Sequence, residues 1–208
     1  MKISVFAMRT LEILLVVLGI VGTGPASAAN PTRPMLLVAS SRLAGTDFNE
    51  TVLLATPLPN GTHIGFIVNR PTDTTLAKAF PKHLPSRRVI DPLYFGGPAL
   101  VGRLFAAVRT PPKGAGEVLQ LMPGLVLITD GAVIDRVIEA TPNEARYFTG
   151  LFVWQPGQLD EEVRAGVWDV SPPDASVVFS AHPETLWRSL CRKGMRFEAR
   201  SHADRRGA

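Results

Sequence analysis

Gly65-Phe66-Ile67-Val68-Asn69-Arg70-Pro71 is the stretch around which this chain is organised. Small and apolar residues run straight into an Asn-Arg-Pro stop, the pattern of a buried strand bounded by turn residues. Pro71 cannot donate to a strand ladder and biases Arg70 toward extended geometry. The strand therefore carries an amide, Asn69, and a fixed positive charge, Arg70, to its C-terminal rim. Tyr94-Phe95-Gly96-Gly97-Pro98 is a second rim candidate.

Working upstream, Met35 to Ala39 is an apolar strand ending in Ser40-Ser41, and Thr51 to Thr56 is another. Pro57 to Gly61 is rich in Pro, Asn and Gly, so Thr51–Thr56 and His63–Asn69 form a hairpin through about five residues. Downstream, Thr72 to Phe80 reads as a short helix with Leu76, Ala79 and Phe80 on one side. Pro81 to Pro92 is polar, basic and proline-punctuated, and so a surface loop.

A second block of strands begins at Leu93–Phe95. Arg103–Val108 and Val118–Leu121 flank the segment Thr110 to Gly116, which reads as a mobile hairpin tip. Leu125–Ile128 is a further strand, and Asp130 caps a helix carrying the stripe Val133, Ile134, Val137 and Ile138. Thr141-Pro142-Asn143-Glu144 has the form of a capping box for one helical turn before a strand over Tyr147–Trp154. Gly157 to Val163 starts a helix whose acidic first turn suits the helix dipole. Trp168–Val170 is a short strand, Pro172–Phe179 a short helical segment and Pro183–Arg192 a last helix. Strands in runs with short helices predict a single α+β domain with a mainly antiparallel sheet, not a doubly wound nucleotide fold.

The ends read differently. Lys2 and Arg9, the apolar run Ile13–Val21 and Ala26-Ser27-Ala28 make the pattern of a secretory signal peptide over residues 1–28. The run is about half the ~20 apolar residues that a membrane span needs. The expectation is export, to the periplasm. An uncleaved anchor or a misassigned start codon is the alternative, and the latter leaves a cytoplasmic protein. Residues 29–34 are a linker, 35–194 the domain, and 195–208 a basic tail with too few apolar residues to fold. Without the leader the net charge falls from +4 to +3. Seven basic and two acidic residues lie from Arg188 onward, so the body Ala29–Trp187 stands at −2. Cys191 is the sole cysteine, which excludes an intrachain disulfide, and its helical setting assigns it to packing.

Catalytic signatures are sparse. There is no Gly-x-Ser-x-Gly elbow, P-loop or Gly-x-Gly-x-x-Gly fingerprint. His63, His83, His182 and His202 lack metal partners at helical spacing, and Glu161 and Glu162 read as solvated side chains on different helix faces. No cofactor or metal is implied. What remains is a small-anion site. Gly96 and Gly97 would turn their amides into a nest, Arg70 and Arg103 would supply forked donors, and Gln158 would add a polar contact at a helix start. The alternative for the same residues is scaffold, with the glycines permitting tight backbone and Asn69-Arg70 tying loops together.

Gly65–Pro71, Phe95-Gly96-Gly97-Pro98 and Trp154-Gln155-Pro156-Gly157-Gln158-Leu159 together resemble the YqgE/AlgH family. Phe48-Asn49-Glu50-Thr51-Val52, Trp168 and Trp187 agree with it, and the likeness covers about Met35 to Gly194. The resemblance implies a curled, barrel-like sheet with peripheral helices. It brings no established reaction, although family members are labelled transcriptional regulators. Leu151-Phe152-Val153 before the tryptophan and the export signal depart from the family pattern. The expected function is a non-enzymatic binding or regulatory module with a small anion or a protein as partner. Its candidate site residues are Asn69, Arg70, Gly96, Gly97, Arg103, Trp154 and Gln158. The alternatives are a transcriptional regulator, or a hydrolase without a recognisable motif. Sequence-specific DNA binding is disfavoured by the slightly acidic body. Intact-mass measurement of the native protein is expected to give a chain that begins at Ala29. A soluble cytoplasmic product retaining Met1 would overturn export.

Overall fold

The computed structural model describes residues 33–192. Residues 1–28, read as a leader, and 195–208, read as a basic tail, lie outside the described residues, as does most of the expected linker at 29–34. Strands β1 (Met35–Ala39), β2 (Val52–Pro57) and β3 (His63–Ile67) form an antiparallel meander, with Pro57 opposite His63 across the expected five-residue turn. All five residues of β1 and of β3 are buried, which is why their sequences are apolar throughout rather than alternating. Their side chains still alternate between faces. Leu36, Leu54 and Phe66 enter one core, whereas Leu37, Leu53, Ile67 and Trp154 enter another.

The chain continues through β4 (Pro71–Thr75) into the single helical turn α1 (Leu76–Ala79), then β5 (Pro92–Phe95) and the long β6 (Ala99–Val108). β7 (Leu119–Met122) and β8 (Leu125–Ile128) precede helix α2 (Gly131–Ala140) and the ten-residue β9 (Ala145–Trp154). Helix α3 (Gln158–Arg164), β10 (Trp168–Ser171), α4 (Ala175–Val178) and α5 (residues 183–192) complete the described chain. The strand order is β10-β1-β2-β3-β9-β6-β8-β7. β4 pairs with β5, and β5 pairs with β9 in the one parallel ladder among the described residues. The structure is thus the expected single α+β domain.

The sheet curls because one core draws on strands from both of its ends. Leu36 and Leu54 meet Phe105, Leu121, Leu127 and Phe148 in the same cluster. The Thr56 hydroxyl of β2 donates to the Leu121 carbonyl of β7 at 2.8 Å, fastening the curl. A further core lies under α2, whose Val133, Ile134, Val137 and Ile138 are all buried. Asp130 caps that helix as expected, its carboxylate accepting from the Val133 amide at 2.9 Å.

Three local expectations are corrected. Thr72–Phe80 is not one helix: Pro71–Thr75 is a strand, because three β-branched threonines favour extended backbone and the Thr72 hydroxyl is held by the Leu93 carbonyl at 2.7 Å. β6 and β7 do not make a hairpin. β8 lies between them, since the tight Pro123-Gly124 turn, with Gly124 at φ 75°, closes β7–β8 over a far shorter loop than the one after Val108. Thr141–Glu144 forms a hydrogen-bonded turn instead of a capped helix, and β9 starts directly after it at Ala145.

β9 is the strand on which the rest is hung, pairing with β3, β5 and β6. The Gly96-Gly97 loop after β5 crosses it backbone to backbone. A Cβ on Gly96 would strike the Gly150 carbonyl oxygen and lie 2.9 Å from the Phe66 ring. A Cβ on Gly97 would strike the Leu151 carbonyl, and one on Gly150 the Gly97 oxygen. Gly96→Ala is expected to cost more than about 4 kcal/mol, read as loss of a cooperative thermal transition. Gly131→Ala, at an open helix start, should leave Tm within a few degrees of wild type.

Candidate functional site

The strand ending in Asn69 and Arg70 and the loop carrying Gly96 and Gly97 do lie side by side. The Ile67 amide donates to the Gly96 carbonyl at 2.9 Å and the Phe95 amide to the Arg70 carbonyl at 3.0 Å. The third motif joins them through Gly65, where a Cβ would come within 2.7 Å of the Trp154 ring. The polar groups gathered there are committed to the protein itself. Asn69 takes the Val52 amide on its carbonyl oxygen at 2.9 Å and donates its own amide to the Glu50 carbonyl at 2.8 Å. It thereby continues the β2–β3 ladder through a side chain and holds Glu50, whose φ of 54° is a left-handed conformation rare for a non-glycine residue.

Arg70 fixes the same loop. Its guanidinium donates to the Asp47 carbonyl at 2.7 Å and to the hydroxyl of Thr51, which is fully buried, at 2.8 Å. Burial pushes the Arg70 guanidinium down from its ordinary value, and the Asp47 carboxylate partly opposes that. The Gly96 amide donates to the Thr149 carbonyl at 2.9 Å, so it does not point outward as half of a nest. Arg103 stands apart on β6, exposed, with no hydrogen bond to Asn69 or Arg70 among the described residues.

Trp154 and Gln158 belong to a different centre, built on Glu162. One carboxylate oxygen accepts the Trp154 indole N–H at 3.0 Å and the Trp168 indole N–H at 2.8 Å. The other accepts the Gln158 amide at 3.1 Å. The reading of Glu162 as a solvated surface residue is therefore corrected. Buried indoles need acceptors, and a glutamate one helical turn beyond Gln158 was the signal to weigh. Gln158 also accepts from the Gln155 amide at 3.1 Å, closing the start of α3, where Gly157 adopts φ 84°.

Arg146 is a second hub that the sequence reading missed. It is 4% exposed and donates to the Tyr94 hydroxyl at 2.7 Å and to the Val178 and Ser180 carbonyls at 3.1 and 3.2 Å. It also pairs with Asp91 at 3.1 Å and lies over the Tyr94 ring. Burial raises the Tyr94 hydroxyl from its ordinary value, while Arg146 opposes the shift. The clue was an arginine inside the aromatic run Arg146-Tyr147-Phe148 of a central strand, which only a fully paired cation tolerates. No group of three or more His, Cys, Asp or Glu side chains able to hold a metal ion occurs among the described residues.

The family model described as AlgH-like matches residues 36–197. The chain belongs to the AlgH-like family. A UPF0301 protein of Methylococcus capsulatus is 31% identical over 161 residues, covering 75% of this chain and 87% of that protein. One from Chlorobium phaeobacteroides is 28% identical over 176 residues, covering 81% and 90%. The solution structure of AlgH from Pseudomonas aeruginosa superposes with a TM-score of 0.63 at 22% identity, over 83% of this chain and 92% of that one. A crystal structure from Corynebacterium diphtheriae gives 0.62 at 23%, over 86% and 92%. These two share the fold of this AlgH-like chain.

Arg70→Ala is expected to lower stability by about 1–3 kcal/mol, because it leaves the Asp47 carbonyl and the Thr51 hydroxyl without their donor. Phosphate and sulfate should then shift the Tm of wild type and variant equally. An anion-dependent gain in wild type that vanishes in the variant would instead mark Arg70 as a ligand.

Proposed function

We propose that this AlgH-like chain is a non-enzymatic binding module, and that it meets a partner through the bulge at residues 100–103 of β6. The observation that carries this is Leu100. It is a large apolar residue in a left-handed conformation, φ 54°, and it is 52% exposed. Strain of this kind persists only where the surroundings over-determine it, and it gathers at working sites. Val101 beside it is 59% exposed, and Gly102, at φ 100°, has its amide held by the Thr149 hydroxyl at 3.0 Å. The register between β6 and β9 shifts across this segment, so the strand leaves its ladder and presents the apolar pair to solvent.

Arg103, exposed next to the pair, supplies a forked donor and so a preference for an acidic group on the partner. The anion preference read from the sequence rests on Arg103 in this proposal, since the donors of Arg70 and Gly96 have internal acceptors. The crossing at Gly96-Gly97 and Gly150 immediately precedes the bulge, with the Ala99 carbonyl 3.1 Å from where a Cβ on Gly150 would stand.

A photo-crosslinking residue placed at Val101 tests the proposal in cells. A discrete adduct is expected that weakens at least tenfold on adding Arg103→Glu, with Tm unchanged. Crosslinking at Val101 no stronger than at the exposed loop position Glu117 would end the proposal.

A further inference from the structure

Segment 78–90, from the second half of α1 to just before β5, concentrates basic charge in an otherwise acidic body. Lys78, Lys82, Arg87 and Arg88 lie in it with no acidic residue among them. Thirteen Lys and Arg stand against fifteen Asp and Glu between Ala29 and Trp187. Four of those thirteen bases sit in this segment, so the remainder of that body has a net charge of −6. Basic charge is therefore not confined to the tail. The same segment exposes three large apolar side chains, Phe80 at 41%, Leu84 at 63% and Ile90 at 80%.

The display is held from below. Leu76, Ser86 and Val89 are buried, and the His83 ring is 2.8 Å from the Ser86 hydroxyl. The Ile90 amide donates to the Asn143 side chain at 2.9 Å, while Arg88 reaches the Ile138 and Glu139 carbonyls at the end of α2. Phe80 borders an open depression formed with Ala79, Pro81, Lys82 and His83. Prolines at 81 and 85 stiffen the backbone between the apolar positions.

We propose that segment 78–90 docks the protein onto the surface of an anionic phospholipid bilayer. Apolar side chains standing singly among lysines and arginines match an interface in which hydrocarbon lies just beneath negative headgroups. Phe80, Leu84 and Ile90 enter the acyl boundary while Lys78, Lys82 and Arg87 meet phosphates. A nucleic acid would engage the cations but give no return for exposed Leu84 and Ile90, which is why the bilayer is the occupant. The attachment is peripheral: no helix among the described residues is long and apolar enough to cross a membrane. This surface is separate in sequence from the bulge at 100–103, and neither proposal depends on the other.

Peptide-resolved hydrogen exchange on the full chain tests the docking, because it reads segment 78–90 whatever the ends of the chain do. Vesicles of mixed phosphatidylglycerol and phosphatidylcholine are expected to slow exchange across 78–90 severalfold, and pure phosphatidylcholine vesicles to leave it unchanged. The Leu84→Asp/Ile90→Asp variant should lose that protection while keeping its Tm. The Lys78→Glu/Lys82→Glu variant should need about tenfold more anionic lipid to regain it. Unchanged exchange at 78–90 with the anionic vesicles, whether or not the chains sediment with them, would overturn the proposal. Equal protection by polyglutamate or duplex DNA, without lipid, would overturn it in favour of an acidic macromolecule.

Discussion

Two backbone segments touch without side chains between them, and much of the fold depends on that contact. Residues 96–97 pass over 150–151 so closely that neither Gly96, Gly97 nor Gly150 has room for a Cβ. The same passage gives the Ile67 amide its acceptor and the Gly96 amide its own, in the Thr149 carbonyl. β3, β5 and β9 are thereby locked at one point. Side-chain packing can relax around a lost methyl, but backbone in contact with backbone has nothing softer to yield. The crossing also explains how β5 lies parallel to β9 in a sheet otherwise antiparallel: the chain leaves β5, clears β9 at the glycines and returns as β6 on the other side.

Much of this was legible in the sequence. Continuous apolar runs located β1, β2, β3 and β8, and Asp130 with its following stripe located α2 within a residue. The two rims, Asn69-Arg70 and Gly96-Gly97, lie side by side, with the Ile67 amide on the Gly96 carbonyl, whereas Arg103 and Gln158 do not join them. What failed was inference from local pattern where long-range pairing decided the outcome. Pro71–Thr75 is a strand because β5 supplies its partner, and β7 pairs with β8 because the Pro-Gly turn closes the shorter loop. A window of residues contains neither fact.

The site was harder to read for a related reason. Asn69 and Arg70 are polar groups at a strand end, which suits a ligand and a loop clamp equally until the acceptors are known. In three dimensions the acceptors are the Asp47 and Glu50 carbonyls, three positions apart in the loop that leads into β2. Glu162 and Arg146 were missed because their partners come from several elements. Glu162 collects two indoles and an amide, and Arg146 collects Tyr94, Asp91 and two carbonyls near the C-terminal helices. Arg146 is an ion whose neighbours make burial tolerable, and removing them would leave a charge with no compensation, whereas Glu162 is only partly buried.

These commitments bear on where function can reside. A donor already paired inside the protein must break that pair to bind a ligand, and the net gain from such an exchange is small. Arg70, Asn69 and Gly96 are in that position, whereas Arg103, Lys78, Lys82 and Arg87 are exposed cations. Exposed apolar area follows the same division: Leu100 and Val101 sit beside Arg103, and Phe80, Leu84 and Ile90 among the lysines and arginines of 78–90. Cation and apolar surface occur together twice outside the motifs that mark the family, and the proposed docking by contact rests on those two places. The motifs, on this view, hold the scaffold rigid, and the rigidity lets the two exposed segments keep their shape without a partner to order them.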